Sequence, residues 1–256
     1  MTDKTAPLYV VCSPFRGVGK TLVARLLAEF YVVNDRPVAA FDLADEGPQL
    51  ADYLPDITTV ADIGDTRGQM AFFDRLIADD VGARIIDLSH RVFKNFFTVV
   101  QEIQFFEEAR RRSIEPLILF IIDPDPKSAK TYAMLRHQLS LASLLPVRNQ
   151  IEAAATPHRV ARPNANIAPT SLDIPLLSFT LKALIDRQSF SFSRARGTSP
   201  ADLPVLLKDE LSRWIERVFS NSAHSSSSSA APSGLGSRTA IVSKKCGNLY
   251  ERLPTR

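Results

Sequence analysis

The stretch from Leu8 to Phe30 most limits what this chain can become. The apolar run Leu8-Tyr9-Val10-Val11 leads into Cys12-Ser13-Pro14-Phe15-Arg16-Gly17-Val18-Gly19-Lys20-Thr21, and then into Leu22-Val23-Ala24-Arg25-Leu26-Leu27-Ala28-Glu29-Phe30. A short buried strand, a turn carrying two glycines and a segment with apolar residues at helical spacing follow one another without a gap. That order is the context a phosphate-binding loop requires.

The residue types suit a polyphosphate. Gly17 and Gly19 lack a Cβ, so the loop can turn backbone N–H groups from Gly17, Val18, Gly19, Lys20, Thr21 and Leu22 toward phosphate oxygens at the positive end of the following helix. Lys20 is placed to bridge β- and γ-phosphates, and the Thr21 hydroxyl to ligate Mg²⁺. The G-x-x-x-x-G-K-[ST] pattern wants glycine where this chain has Pro14, so only its G-K-T end is intact. The alternative is an ordinary strand-to-helix turn with a surface lysine.

Composition narrows the function classes. With 256 residues, of which 45% are hydrophobic, the chain can bury a sizeable core and reads as one α/β domain (residues 1–221) followed by a Ser-rich, basic tail (222–256). The net charge of +3 is unevenly spread, because Arg238, Lys244, Lys245, Arg252 and Arg256 face only Glu251 in the tail. The body is therefore slightly acidic, which gives DNA binding no support. Cys12 and Cys246 make neither a disulfide framework nor a metal set. No signal segment and no run of 18 apolar residues is present, so the expectation is a cytoplasmic protein.

Further along, Val38-Ala39-Ala40-Phe41 is a second short apolar run ending in Asp42, and Ala83-Arg84-Ile85-Ile86 reads as a third strand ending in Asp87. Carboxylates at such strand ends collect metal and water ligands, because ligands bind at the carboxyl ends of parallel strands. Residues 43–69 read as loop with short helices, and 69–78 as a helix. Arg91 to Arg112 reads as one long helix with an apolar face of Phe93, Phe96, Phe97, Val100 and Ile103; Val92, Val99, Phe105 and Phe106 widen that face enough to raise a partner surface as an alternative. Leu117–Ile122 is the clearest buried strand and ends in Asp123; Leu144–Val147, ending in Arg148-Asn149, and Ile174–Leu177 are shorter ones. Helices are expected at 128–140, 181–187 and 201–219. Strands alternating with helices predict a mostly parallel, twisted sheet with helices on both faces, the P-loop NTPase architecture.

Over residues 8–220 the loop, Asp42, Asp87 and Asn149 together resemble the ParA/MinD group of P-loop ATPases, which position plasmids, chromosomes and division sites. Their deviant loop reads K-G-G-x-G-K-[ST]; here Phe15-Arg16-Gly17-Val18-Gly19-Lys20-Thr21 keeps its latter half and lacks the signature lysine. Against their D-x-D-P-Q motif stands Asp42-Leu43-Ala44-Asp45-Glu46-Gly47-Pro48-Gln49. The resemblance implies that Asp42 orients the attacking water, that Asp87 holds a Mg²⁺-bound water, with Asp123 a competitor for that place, and that Asn149 reads the base. It also implies ATP and Mg²⁺ as cofactors and an ATP-dependent homodimer. Arg16 is either a cation reaching across that dimer in place of the lysine or a surface arginine. The interval of 45 positions from Asp42 to Asp87 is short for the group and suggests a trimmed switch region.

These features lead to a Mg²⁺-dependent ATP-binding protein with slow hydrolysis, used as a nucleotide switch in partitioning or positioning. A small-molecule kinase or ligase of the dethiobiotin-synthetase type shares the loop, and a nucleotide-binding scaffold without hydrolysis follows from the missing lysine. The last segment, interrupted by Gly247 and Pro254, lacks a continuous apolar face for a membrane.

Overall fold

The computed structural model describes residues 5–43, 49–78, 82–139, 142–151, 171–188, 190–197 and 203–224. Within them lie seven strands: β1 Ala6–Cys12, β2 Val38–Asp42, β3 Thr58–Val60, β4 Ala83–Asp87, β5 Ile114–Ile122, β6 Ser143–Asn149 and β7 Leu172–Ile174. The helices are α1 Lys20–Val33, α2 Leu50–Tyr53, α3 Thr66–Ile77, α4 Phe93–Glu102, α5 Phe105–Arg111, α6 Pro126–Gln138, α7 Phe179–Ile185, α8 Phe192–Gly197 and α9 Val205–His224.

All seven strands form one parallel sheet in the order β3-β2-β4-β1-β5-β6-β7. Each face is covered, and β1 shows why its sequence is apolar throughout. Tyr9 and Val11 join the core under α1 and α7 to α9, while Leu8, Val10 and Cys12 join the one under α3 to α6. A strand buried on both faces reads as a nearly continuous apolar run rather than as an alternation. The chain is thus an all-parallel α/β sheet with helices on both faces, as its alternation of strands and helices predicts.

β1 sits between β4 and β5, and every parallel strand delivers its carboxyl end to the same edge. Register then decides which strand-end residues become neighbours. Val11 is level with Asp87, and Asp42 is level with Asp87 on the other side. The loop after β1 therefore opens beside two carboxylates brought from 42 and 87.

Three expectations are corrected. The segment 43–69 contains strand β3 as well as helix α2. The helix expected from Arg91 to Arg112 is two helices, broken where Gln104 takes a left-handed φ of 51°. That break turns Phe105 and Phe106 into the core, where Phe105 lies 4.8 Å from the ring of Phe73. The wide apolar arc is consequently covered within the chain, with Phe93, Phe96, Phe97, Val99, Val100, Phe105 and Phe106 all buried; only Ile103 of that set is half exposed. The partner surface that the arc suggested is used up in packing. The residues 225–256 of the expected tail, and Asp45, lie outside the described residues; α9 runs to His224.

Candidate nucleotide site

The loop from Ser13 to Gly19 closes on itself through its lysine. Gly17 has φ 68° and Gly19 φ 89°, backbone states that a side chain disfavours, so these two positions need glycine. Gly19 is the N-cap of α1 and has no side chain with which to cap that helix end; the first turn holds no acid. By contrast α3, α6 and α7 are capped by the side chains of Asp65, Asp125 and Ser178. The first N–H groups of α1 are thus left to whatever occupies the loop.

Lys20 is 9% exposed, and its Nζ donates to the Phe15 carbonyl at 2.6 Å. Burial lowers its pKa, opposed by the nearby carboxyl of Asp87 and by Cys12. Cys12 lies beneath the loop in a fully buried position that pushes its thiol far up, so it is a packing residue and no nucleophile.

Thr21 and Asp87 meet directly. The Thr21 hydroxyl donates to Asp87 Oδ2 at 2.6 Å across the junction of α1 and β4. Burial raises the Asp87 carboxyl to about 7; the Thr21 hydrogen bond lowers it, the neighbouring Asp42 raises it further, and Lys20 lowers it. Asp42 is fully buried, and its Oδ2 accepts from the backbone N–H of Ala51 in α2 at 2.9 Å. Two buried carboxylates level with each other, with a hydroxyl on one of them, leave a local excess of negative charge that a proton or a cation has to offset.

The donors fit magnesium. Hydroxyl and carboxylate oxygens are the hard ligands that Mg²⁺ takes, and it needs only one or two from a protein when phosphates and waters complete its shell. Among the described residues no cluster of three or more His, Cys, Asp or Glu side chains could hold a metal unaided. A partial set of this kind suits a metal that arrives with a phosphate chain.

Asn149, at the end of β6, is brought to the loop from the other side. Its Nδ2 donates to the Val18 carbonyl at 3.0 Å, and its Oδ1 accepts from the N–H of Ile151 at 3.1 Å. It therefore clamps the loop, a role that sequence reading did not assign. Asp123 is placed differently: its Oδ1 accepts from the N–H of Asp125 at 2.9 Å, and its own N–H donates to Ser128 Oγ at 3.0 Å. Arg16 is exposed on the loop, and Leu22 is partly buried against the core beneath it.

A second group near the site was missed. On α1, Arg25 is 2% exposed and Glu29 1%. Arg25 donates to the carbonyls of Ile185 and Phe190 at 2.8 and 3.0 Å, while Glu29 accepts from Ser191 Oγ and the N–H of Ser193. Two opposite charges four residues apart in an otherwise apolar helix were the available signal.

No family model matches this chain, and no curated protein matches it. Among solved structures it is similar to a ParA family ATPase from Chlorobium tepidum TLS, with 11% identity over 83% of this chain and 98% of that one and a TM-score of 0.44. No helix among the described residues is long and apolar enough to cross a membrane. What the chain does is therefore drawn from its own loop and the carboxylates beside it.

Proposed function

We propose that the chain binds a magnesium–nucleoside triphosphate, ATP in the first instance, and hydrolyses it slowly as a conformational switch. The observation that supports this reading above others is the Thr21–Asp87 hydrogen bond, which joins the loop helix to a strand-end carboxylate at an uncapped helix N-terminus. Loop N–H groups from Gly17 to Leu22 would hold phosphate oxygens, Lys20 would exchange the Phe15 carbonyl for phosphate, and Thr21 with Asp87 would hold the metal directly or through water. Magnesium supplies charge neutralisation along the phosphate chain. Asp42, one strand further, is the residue for orienting a water; Asn149, whose NH₂ has a second hydrogen besides the one given to Val18, is the residue for a base edge.

Hydrolysis tied to a dimer is the finer part of the proposal. Arg16 is exposed at the loop and carries a charge one position from the lysine that the resemblance leads one to expect, so an ATP-closed homodimer would bring each Arg16 to the partner's phosphates. Phe15 at the lysine position favours a second reading, a nucleotide-binding scaffold that does not hydrolyse. Titration calorimetry with magnesium ATP tests the binding. Light scattering in ADP and in a non-hydrolysable ATP analogue, with turnover measured for the parent and Arg16→Ala, separates switch from scaffold. A switch dimerises and turns over only with Arg16 present, whereas a scaffold binds with neither effect.

A further inference from the structure

Arg25 touches neither the loop nor the carboxylates, yet it joins the three segments around them. Its guanidinium lies 3.8 Å from the centre of the Tyr53 ring and 5.1 Å from that of Phe192. Two of its nitrogens donate to Ile185 and Phe190, on the stretch that passes over α1 after α7. Tyr53 is the last residue of α2, and its hydroxyl also donates to the Asp186 carbonyl at 3.3 Å. Helix α2 is therefore held at two points: at Ala51 by Asp42, and at Tyr53 by Arg25 and the Asp186 carbonyl.

A buried arginine is an expensive way to fill apolar space, since its charge must be stripped of water, and among the described residues its Nε finds no hydrogen-bond partner. The arginine does what a leucine cannot: it donates to two carbonyls and offers a cation to a ring at the same time. We infer that Arg25 and Tyr53 are positioning residues that set α2 and, through the Ala51 N–H, the orientation of the Asp42 carboxylate. The inference rests on the proposed nucleotide site and adds to it a path from that site to the far side of α1.

The path ends on a natural reporter. Phe192 stacks on Trp214 with ring planes 18° apart, and Trp214, the one tryptophan of the chain, donates its Nε1–H to the Pro175 carbonyl at 2.8 Å. A change at Asp42 that shifts α2 would therefore reach Trp214 through Tyr53, Arg25 and Phe192. Tyr53 is only partly buried, so it can be replaced without opening the core.

The experiment compares the parent with Tyr53→Ala and Tyr53→Phe, reading four quantities: magnesium ATP affinity, kcat, the nucleotide-induced change in Trp214 emission, and amide exchange of 50–53 without nucleotide. In Tyr53→Ala we expect affinity within about threefold of the parent, kcat lowered about tenfold, faster exchange of 50–53 and loss of the emission change. Tyr53→Phe, which keeps the ring, should restore all of them. An affinity, kcat, exchange rate and emission response in Tyr53→Ala that all equal the parent's would overturn the positioning role alone. A parent that binds no magnesium nucleotide would overturn the nucleotide reading and this inference with it, even if exchange of 50–53 still responds to Tyr53→Ala.

Discussion

Asp87 and Asp123 stand at the ends of β4 and β5, the two strands that flank β1, and they make different contacts. β1 pairs Val11 with Asp87, so that carboxylate lies level with the last residues of the strand and faces the first turn of α1, where Thr21 reaches it. β5 pairs Phe120 with Cys12, which puts Asp123 past the end of β1. There its carboxylate folds into a local turn, holding the N–H of Asp125. The two acids have the same sequence context, an apolar run ending in aspartate. Strand register, which sequence does not display, separates them.

The comparison also separates their energetics. Asp87 is held near neutrality by burial next to Asp42, a condition that a divalent cation relieves, whereas Asp123 serves as the turn before α6. A metal site therefore has an electrostatic reason to exist at Asp87, and a structural reason accounts for Asp123.

The largest expected effect comes from Lys20→Ala. It removes the buried cation that lies nearest both the loop carbonyl and Asp87, and should weaken magnesium ATP at least about a hundredfold by calorimetry. An equal loss at Asp123 but not at Lys20 would reverse the comparison.

Next comes the pH dependence of stability in the absence of magnesium and nucleotide. The Asp87 carboxyl rises from 3.8 unfolded to about 7 folded, so between those values the folded state holds a proton that the unfolded state has released. Stability from this group is therefore full below about pH 4 and lost as pH rises toward about 7, by up to the order of 4 kcal/mol. Asp87→Asn keeps an acceptor for Thr21 without the charge. Its melting temperature should exceed the parent's by several degrees at pH 8 and match it near pH 4. Identical pH profiles for parent and Asp87→Asn would remove the electrostatic argument.

A smaller effect is expected at Asn149. Its replacement by alanine frees the Val18 carbonyl and loosens the loop, at a cost of about tenfold in nucleotide affinity and a few degrees of melting temperature, since two buried hydrogen bonds are lost. Unaltered affinity would show that the clamp is dispensable. Deleting 225–256 should have the least effect of all, leaving melting temperature and affinity nearly as in the parent, because a Ser-rich basic stretch has little apolar surface to bury. A fall of several degrees would show that the tail docks.

How much of this was legible in the sequence depends on whether a signal is local. Strands β1, β2, β4 and β5 are dominated by apolar residues, interrupted only by Arg84 in β4 and Glu115 in β5 before their terminal residues, and the loop glycines with Lys20 and Thr21 declare themselves, so the sheet and half of the site could be read directly. Strand β3 could not, since Thr58–Val60 is a short edge strand with two of its three residues exposed and no apolar alternation. Nor could the break at Gln104, because a left-handed φ at a glutamine leaves no composition mark; it is imposed by burying Phe105 and Phe106. The part of the site carried by tertiary contact was equally hidden: Asn149 on Val18, Ala51 on Asp42 and Tyr53 on Arg25 join residues whose sequence neighbours say nothing of each other.

The most direct measurement is a magnesium titration of ATP binding to the parent, Asp87→Asn and Asp123→Asn, run at pH 6.5 in buffers of different ionisation enthalpy. If Asp87 helps to hold the metal, the parent will show magnesium-strengthened binding with more proton release than free ATP gives on taking up magnesium, Asp123→Asn will do the same, and Asp87→Asn will bind with little magnesium dependence and without that excess release. Magnesium dependence and proton release that survive in Asp87→Asn and vanish in Asp123→Asn would contradict the account.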